Sequence, residues 1–432
     1  LLAFGRLSDP QMSPDGEYIL YGVSYTSTAD NRSCRNLFIC RKDGSGRQQI
    51  TKSGKSLSNA RWINGGKGLA FIMGGQIWTA NLKQGKDGWK VSGLTQVSNV
   101  PAGISEFKLS PDQSKMIYVS YVKSDVKTPA DCYEDLGKAN AYTTDDLMYR
   151  HWDHTVMEIP HSFIADFSPK AEMSVTPEVS VDILEGEPAN YELPTEPFSG
   201  IEQLDWSPDG KYIAYSCRKV TGKRYAFSTN TEIYIYNLEN GKSSLISNAG
   251  GYDTDPVWSP DGSRICWVSM ERDGYEADKQ RLMVAETDWS NLDENGCPKA
   301  SEPVDATADF KYNVGGPVWD ENCKDIYFAS LAEGLQGIFR AESSEAGWKI
   351  VRLTDADRWN DFGSPFSVTK TAEGGLEMLS TWCSMDFPTE LVSIVTTPEG
   401  VEYKSATTEN DHIPPQLAEH NTEARYVKTV DG

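Results

Sequence analysis

The tetrapeptide Ser-Pro-Asp-Gly stands three times in this chain, at Ser13–Gly16, Ser207–Gly210 and Ser259–Gly262. A fourth copy, Ser110-Pro111-Asp112-Gln113, lacks only the glycine. Each copy runs directly into an apolar, aromatic-rich stretch such as Tyr18-Ile19-Leu20-Tyr21 or Ile265-Cys266-Trp267-Val268. Proline presets φ at the second turn position, Asp bonds the backbone ahead of it, and glycine takes the positive φ that closes the turn. The unit therefore joins two strands. Its recurrence at long, regular intervals predicts a repeat architecture.

The step from Ser207 to Ser259 is 52 residues, and that from Ser13 to Ser110 is 97, close to twice as long. Degenerate copies fill the gaps: Trp62-Ile63-Asn64-Gly65-Gly66, then Val318-Trp319-Asp320-Glu321-Asn322, then Phe366-Ser367-Val368-Thr369 with Gly374-Gly375. That makes seven units. A second signal repeats within them. Asn36-Leu37-Phe38-Ile39, Gln76-Ile77-Trp78-Thr79, Glu232-Ile233-Tyr234-Ile235 and Glu390-Leu391-Val392-Ser393 read as third strands. A short fourth strand then ends in Leu/Ile-Thr/Ser, as at Ile50-Thr51, Leu94-Thr95, Ile246-Ser247 and Leu353-Thr354. Four short strands per ~40–50 residues is the cadence of a propeller blade. No helical pattern of ~10–15 residues separates the strands, so a parallel α/β fold is excluded. The predicted fold is all-β: a seven-bladed β-propeller of four-stranded antiparallel blades over residues 1–410, with 411–432 as a linker.

Acidic residues number 63 against 41 Lys and Arg, for a net charge of −22. That field repels phosphate backbones and anionic membranes, so no nucleic-acid partner is expected. It attracts cations. No run of ~18 apolar residues is present, so no membrane span is expected. Eight cysteines are sparse in 432 residues. Cys217, Cys266 and Cys383 fall inside predicted strands as buried thiols, and Cys34 with Cys40 is the one pair close enough in sequence to bridge a local turn.

The third unit is too long. From Ser110 to Ser207 the step is 97 residues, where one blade needs about half that. The excess lies in an insertion at about 123–160, predicted to be partly helical, with Thr143 or Thr144 as a cap. Long loops on rigid scaffolds concentrate binding groups. Three of the five histidines, His151, His154 and His161, fall here, with His151 and His154 expected on one helix face, but no metal-ligand motif accompanies them and no metal is expected. Asp145-Asp146 is either an amine ligand or a solvated helix start. Elsewhere the catalytic motifs are missing. There is no Gly-x-Ser-x-Gly elbow. Ser53-Gly54-Lys55-Ser56 lacks the first glycine of a phosphate loop, since position 49 is Gln49. No cofactor is expected.

Leu7-Ser8-Asp9-Pro10-Gln11-Met12-Ser13-Pro14-Asp15-Gly16 resembles the first blade of bacterial peptidases of the prolyl oligopeptidase family. Leu147-Met148-Tyr149-Arg150-His151-Trp152-Asp153 resembles an insertion in their dipeptidyl-peptidase and acylaminoacyl-peptidase branch. Ser384-Met385-Asp386-Phe387-Pro388-Thr389-Glu390-Leu391 resembles the last blade, and Thr429-Val430-Asp431-Gly432 the first turn toward a hydrolase domain. The resemblance implies a propeller that gates access to a C-terminal α/β-hydrolase domain of the same protein and helps position short peptides in a serine exopeptidase releasing dipeptides or blocked residues. It implies a periplasmic or secreted location. No catalytic residue carries over, and the chain alone is expected to hydrolyse nothing. Proline-specific members hold the substrate amine with adjacent glutamates, and no Glu-Glu dipeptide occurs here. Asp145, Asp146, Tyr149, Arg150 and Asp153 are the candidate substrate-binding residues in their place.

Two other readings share the turn motif: a stand-alone TolB-type binding propeller, and a metal-dependent propeller lyase. Strand register adds an expectation about closure. No strand is exchanged between the chain ends, so the first and last blades should meet through side-chain packing alone, along a seam able to open.

Overall fold

The computed structural model describes residues 1–432 apart from 146–149, 152–153, 189, 198, 248–249, 357–358, 419–421, 424 and 431–432. Seven antiparallel sheets follow one another along the chain, at 6–49, 57–96, 106–182, 204–245, 253–305, 315–352 and 360–405. They are the blades of a seven-bladed β-propeller, numbered here in chain order, with strands A to D in each. Among the described residues the α-helices are two short ones, Pro129–Cys132 and Lys223–Phe227. The fifth and seventh sheets carry an extra strand. In the seventh, strand A is split into Asn360–Phe362 and Ser367–Lys370, both paired with Leu376–Ser384.

The proline turns form as their chemistry requires. In the first, Gly16 N donates to Ser13 O at 2.9 Å, Tyr18 N donates to Ser13 Oγ at 2.9 Å, and that hydroxyl donates to Asp15 Oδ1 at 2.5 Å. The same three bonds recur around Ser110, Ser207 and Ser259. The copy without glycine still takes the left-handed conformation, with Gln113 at φ 58°. Its side chain offsets the strain: Asn64 N donates to Gln113 Oε1 at 3.0 Å, and Gln113 Nε2 donates to Trp62 O at 3.1 Å. Glutamine thus ties the third blade to the second where glycine could not.

The recurring Thr/Ser has an equally local cause. The hydroxyl just past strand D accepts a backbone N–H of strand C: Thr51 from Leu37, Ser98 from Ile77, Ser247 from Ile233, Thr307 from Leu282, Thr354 from Ile338 and Thr407 from Leu391, at 2.8–3.1 Å. In three blades the hydroxyl proton goes to the preceding side chain, at Gln76, Glu232 and Glu390. The second blade places this residue at Ser98, three positions beyond the expected Thr95, because Gly88–Gln96 runs longer than the pattern suggests.

The chain divides into two compact units. One is Leu1–Ser56, Ala329–Phe339 and Arg352–Gly432; the other is Leu57–Phe328 and Arg340–Val351. Inside the second unit, neighbouring A strands are stapled by side chains. Asn59 Oδ1 accepts Phe107 N at 2.5 Å, Glu106 Oε2 accepts Ile201 N at 2.7 Å, and Asp205 Oδ2 accepts Trp258 N at 3.0 Å. Trp206 and Trp319 return indole N–H bonds to Lys108 O and Val257 O. Between these staples lie apolar layers such as Ile117, Leu204, Trp206, Ile213 and Tyr215.

Inside the first unit, blades one and seven keep their own strands, as expected, but they meet through far more than packing. Gly5 N donates to Asn410 Oδ1 at 2.8 Å, and Asn410 Nδ2 donates to Gly5 O at 3.0 Å. Glu409 accepts Tyr21 Oη at 2.8 Å, Tyr25 Oη at 3.2 Å and both Nε and Nη2 of Arg47. The expectation of a seam closed by side-chain packing alone is therefore corrected. The chain beyond strand D folds back as a polar latch. A Cβ on Gly44 would stand 2.4 Å from Ala406 O, so blade one approaches that segment more closely than any side chain allows.

Two further expectations change. Cys34 and Cys40 lie on one strand, Arg32–Arg41, six residues apart and unable to bridge, and all eight cysteines are free thiols. In the third blade, Thr143 pairs with Lys127 in a β-bridge rather than capping a helix. His151 and His154 face each other in a two-stranded hairpin, not along a helix. The helical turn of the insertion sits earlier, at Pro129–Cys132, where Thr128 and Asp131 form a capping box.

Two stability changes follow. Thr407→Ala should cost about 1–3 kcal/mol, because it strands the buried Leu391 N–H and removes one of the donors to Glu390. Arg47→Ala should cost about 3–5 kcal/mol, because the Glu409 side chain is 0% exposed and would keep an unpaired charge. Denaturant melts of the two variants measure both.

Candidate functional site

Each blade has two ends. The proline turn and the C–D hairpin close one; the B–C and D–A connections emerge at the other. In the second unit one long connection, C–D at 167–180, lies at the first end; the other long ones lie at the latter end, B–C at 124–157, 218–231 and 270–280, and D–A at 183–203. They enclose a cleft with two lobes. The first, about 390 Å³, is lined by Glu196, Glu202, Arg218, Tyr252, Asp255 and Glu276 among others. The second, about 690 Å³, is lined by Tyr121, Lys123, Met157, Glu158, Glu196 and Pro197. Glu196 and Pro197 belong to both.

The wall that carries Glu196 is held at several points. Leu193 N donates to Pro160 O, Thr195 N to Gln203 Oε1, and Ile201 N to Glu106 Oε2. Gln203 Nε2 reaches across to Thr254 Oγ1 at 3.1 Å. Tyr121 Oη donates to Glu196 Oε1 at 2.6 Å, fixing the carboxylate between the lobes. Burial, then the bond to and charge of Glu196, push the Tyr121 phenol well above its ordinary value, so Tyr121 stays a neutral donor.

Asp255 holds a left-handed backbone at φ 53°, in the bulge between Thr254 and Val257. The stretch Thr254-Asp255-Pro256 repeats Ser8-Asp9-Pro10 of the first blade, where Asp9 is at φ 52°. Burial raises the Asp255 carboxyl above the usual Asp range; the bond from Thr254 Oγ1 at 2.9 Å opposes this, and the nearby charge of Glu202 adds to it. Two cations stand among these acids. Lys123 Nζ is committed to Asp131 at 2.6 Å. Arg218 Nη1 is committed to Ser228 O at 2.8 Å, with its guanidinium 4.1 Å over the Tyr225 ring. The lining carboxylates of Glu158, Glu196, Glu202, Asp255 and Glu276 outnumber these two cations, so the cleft is suited to a small cation that brings its own hydrogen-bond donors. Among the described residues no cluster of three or more His, Cys, Asp or Glu is arranged to hold a metal ion, and no helix is long and apolar enough to cross a membrane.

Of the five candidates named from sequence, Asp146, Tyr149 and Asp153 lie outside the described residues. Arg150 is in the hairpin strand Arg150–His151, and Asp145 is an exposed residue in a bend. His161, grouped with the insertion from sequence, sits inside a blade, with Nδ1 2.7 Å from Asp182 Oδ2. Residues 121, 158, 196, 202, 255 and 276 were missed. They are scattered over 155 positions, and only the fold brings them together. The one available signal was Thr195-Glu196-Pro197 inside an unusually long D–A connection.

The comparisons accord with this architecture. The chain is 38% identical over 434 residues to dipeptidyl-peptidase 5 of Porphyromonas gingivalis, an alignment covering 100% of the chain and 58% of that protein. It is likewise 38% identical over 291 residues to dipeptidyl-peptidase 5 of Porphyromonas endodontalis, an alignment covering 66% of the chain and 40% of that protein. The chain thus spans less than two thirds of the curated relatives it matches. No protein-family model matches it. Among solved structures, the Pyrococcus horikoshii acylaminoacyl peptidase superposes with a TM-score of 0.65 at 16% identity, over 99% of this chain and 56% of that one. The β-propeller domain of the trilobed protease from Pyrococcus furiosus, described as having an open velcro topology, gives 0.54 at 15% identity, over 96% and 98%. At these identities the structures speak to the fold.

A pH dependence follows from Asp255. Its carboxylate binds a cation only when ionised, and its raised pKa means the charge is lost at a higher pH than for an exposed Asp, whose value is ~3.9. Affinity for a small organic cation such as glycinamide should fall as pH drops, beginning above that value. Asp255→Asn should remove this step while leaving weaker binding at neutral pH. Titration calorimetry at several pH values checks it.

Proposed function

We propose that the chain is the substrate-admitting propeller of a serine exopeptidase that releases dipeptides or blocked residues from peptide N-termini, and that its acidic cleft holds the substrate ammonium group. The observation that carries this reading is Glu196. It stands at the wall shared by both lobes, locked by Tyr121, with Glu158 on one side and Glu202 and Asp255 on the other. A primary ammonium has three donors and one positive charge, and a carboxylate cluster of this kind satisfies both. Folding assembles here what other members of the resembled family obtain from adjacent glutamates.

The partner is a C-terminal α/β-hydrolase domain of the same protein. Two features favour its docking at the B–C end. The first strand begins and the last strand ends at that end of their sheets. In the second unit, large apolar side chains are also left exposed on the B–C connections, including Phe227 and Tyr275. Gating follows from that placement, since a peptide must pass these connections to reach the covered face. Asp145, Asp146, Tyr149, Arg150 and Asp153 remain candidate substrate contacts on this reading. The location proposed is periplasmic or secreted.

Calorimetry with trialanine and N-acetyl-trialanine tests the reading. The free-amine peptide should bind at least about tenfold tighter, and Glu196→Gln should abolish the difference. Equal affinity of the two peptides for the unaltered chain would overturn the assignment.

A further inference from the structure

The B–C connections of blades four and five, 218–231 and 270–280, are joined by a single carboxylate. Asp273 Oδ1 accepts Thr229 N at 2.8 Å, Asn230 N at 3.1 Å and Ser228 Oγ at 2.8 Å; Oδ2 lies 2.9 Å from the same hydroxyl. Gly274 N returns a bond to Thr229 Oγ1 at 2.9 Å. Gly274 has φ 74°, and a Cβ there would contact Phe227 O at 3.5 Å, so the two loops run in close apposition.

The bonds continue to the cleft. Ser228, whose hydroxyl Asp273 holds, offers its carbonyl to Arg218 Nη1 at 2.8 Å. Arg218 lies over Tyr225, and Tyr225 Oη donates to the buried Glu192. Arg218 and Thr229 line the smaller lobe from one loop, while Glu276 and Gln280 line it from the other. Loop 270–280 is itself braced by Arg272, whose N and Nε both bond Asp278 near 3.0 Å. Each loop is thus internally ordered, and Asp273 locks one to the other. An ionised carboxylate suits this junction because it accepts three donors and brings none of its own.

We infer that Asp273 is a positioning residue for the cleft. It welds the two loops into one wall, and so sets the distance between the Arg218 and Glu276 sides of the lobe before any ligand arrives. A preorganised wall spares the ligand the cost of ordering two loops. The inference rests on the reading of the cleft as an ammonium site, but its structural half stands apart from that reading.

The test pairs Asp273→Ala and Asp273→Asn with two readouts on the chain: backbone amide exchange of Thr229 and Asn230, and affinity for trialanine. Asp273→Ala should speed exchange at both amides and weaken trialanine about tenfold. Asp273→Asn keeps a carbonyl acceptor and should restore affinity to within about threefold of the unaltered chain. A purely structural residue would change the melting temperature and not the peptide affinity. Unchanged exchange in Asp273→Ala, unchanged affinity despite faster exchange, or equal damage from Asn and Ala would each overturn the inference. The comparison of trialanine with its acetylated form separates the two readings. If trialanine and its acetylated form bind the unaltered chain alike, the ammonium assignment fails, and the exchange data still decide whether Asp273 orders the wall.

Discussion

The hydroxyl that follows strand D is the constraint on which the usable surface depends. A blade buries its central strands, and strand C must begin with a backbone N–H that strand D is too short to cover. Thr51, Ser98, Ser247, Thr307, Thr354 and Thr407 supply the missing acceptor. At Ile77, Ile233, Leu282 and Leu391 the donor is the second residue of its strand, so the bond lies where the preceding B–C connection ends. Leaving such a donor buried and unpaired would cost about 1–3 kcal/mol at each blade. The cleft walls descend from these anchors. Loop 218–231 runs into Glu232, which accepts the Ser247 hydroxyl, and loop 270–280 runs into Arg281, next to the Leu282 N–H held by Thr307.

Much of this frame was legible in the chain, because its causes are local. A proline, an aspartate and a residue able to take positive φ make the A–B turn wherever they occur, and Gln113 shows that the last of them need not be glycine if its side chain is otherwise held. The hydroxyl signature was legible for the same reason, though at the second blade a longer strand moved it from Thr95 to Ser98. The insertion was harder to read. Its acids and threonines suit a helix start, but pairing Thr143 with Lys127 and His151 with His154 uses the same backbone in strands. The cleft could not be read at all. Glu196 and Glu202 share one connection, while Glu158 and Asp255 lie early in strands of two other blades, none in a motif, and periodicity carries no information about which of these come together.

The latch between the chain's two ends illustrates a different economy. An exchanged strand would close the ring with a row of backbone bonds. Here two carboxylates perform that task. Glu390 gathers the Thr407 hydroxyl, the Glu409 and Asn410 backbone N–H groups and the Asn410 amide, and burial still raises its pKa despite all four. Glu409 gathers Tyr21, Tyr25 and Arg47. Side-chain closure of this kind is conditional in a way that strand exchange is not. It depends on ionisation, and each bond can be lost one at a time. It also leaves Gly5 and Asn410 side by side, so the entering and leaving segments are registered to each other by a reciprocal amide pair rather than by sheet.

Charge works at two scales in this chain, and the distinction decides what the cleft can recognise. The net charge of −22 is spread over the surface and screened beyond ~8 Å at physiological salt, so it can concentrate cations near the protein but cannot choose among them. Selection needs carboxylates that are held and partly dried. Glu196 is held by Tyr121, and Asp255 is partly buried, which raises its pKa. Lys123 is paired with the Asp131 carboxylate, whereas Arg218 bonds the neutral Ser228 carbonyl and keeps its charge at the wall of the smaller lobe, where the acids outnumber it. A ligand that neutralises them must be small enough for the lobes and must replace the water it displaces with donors of its own. A peptide's terminal ammonium meets both demands. An inorganic monovalent cation meets only the charge, and an acetylated terminus meets neither.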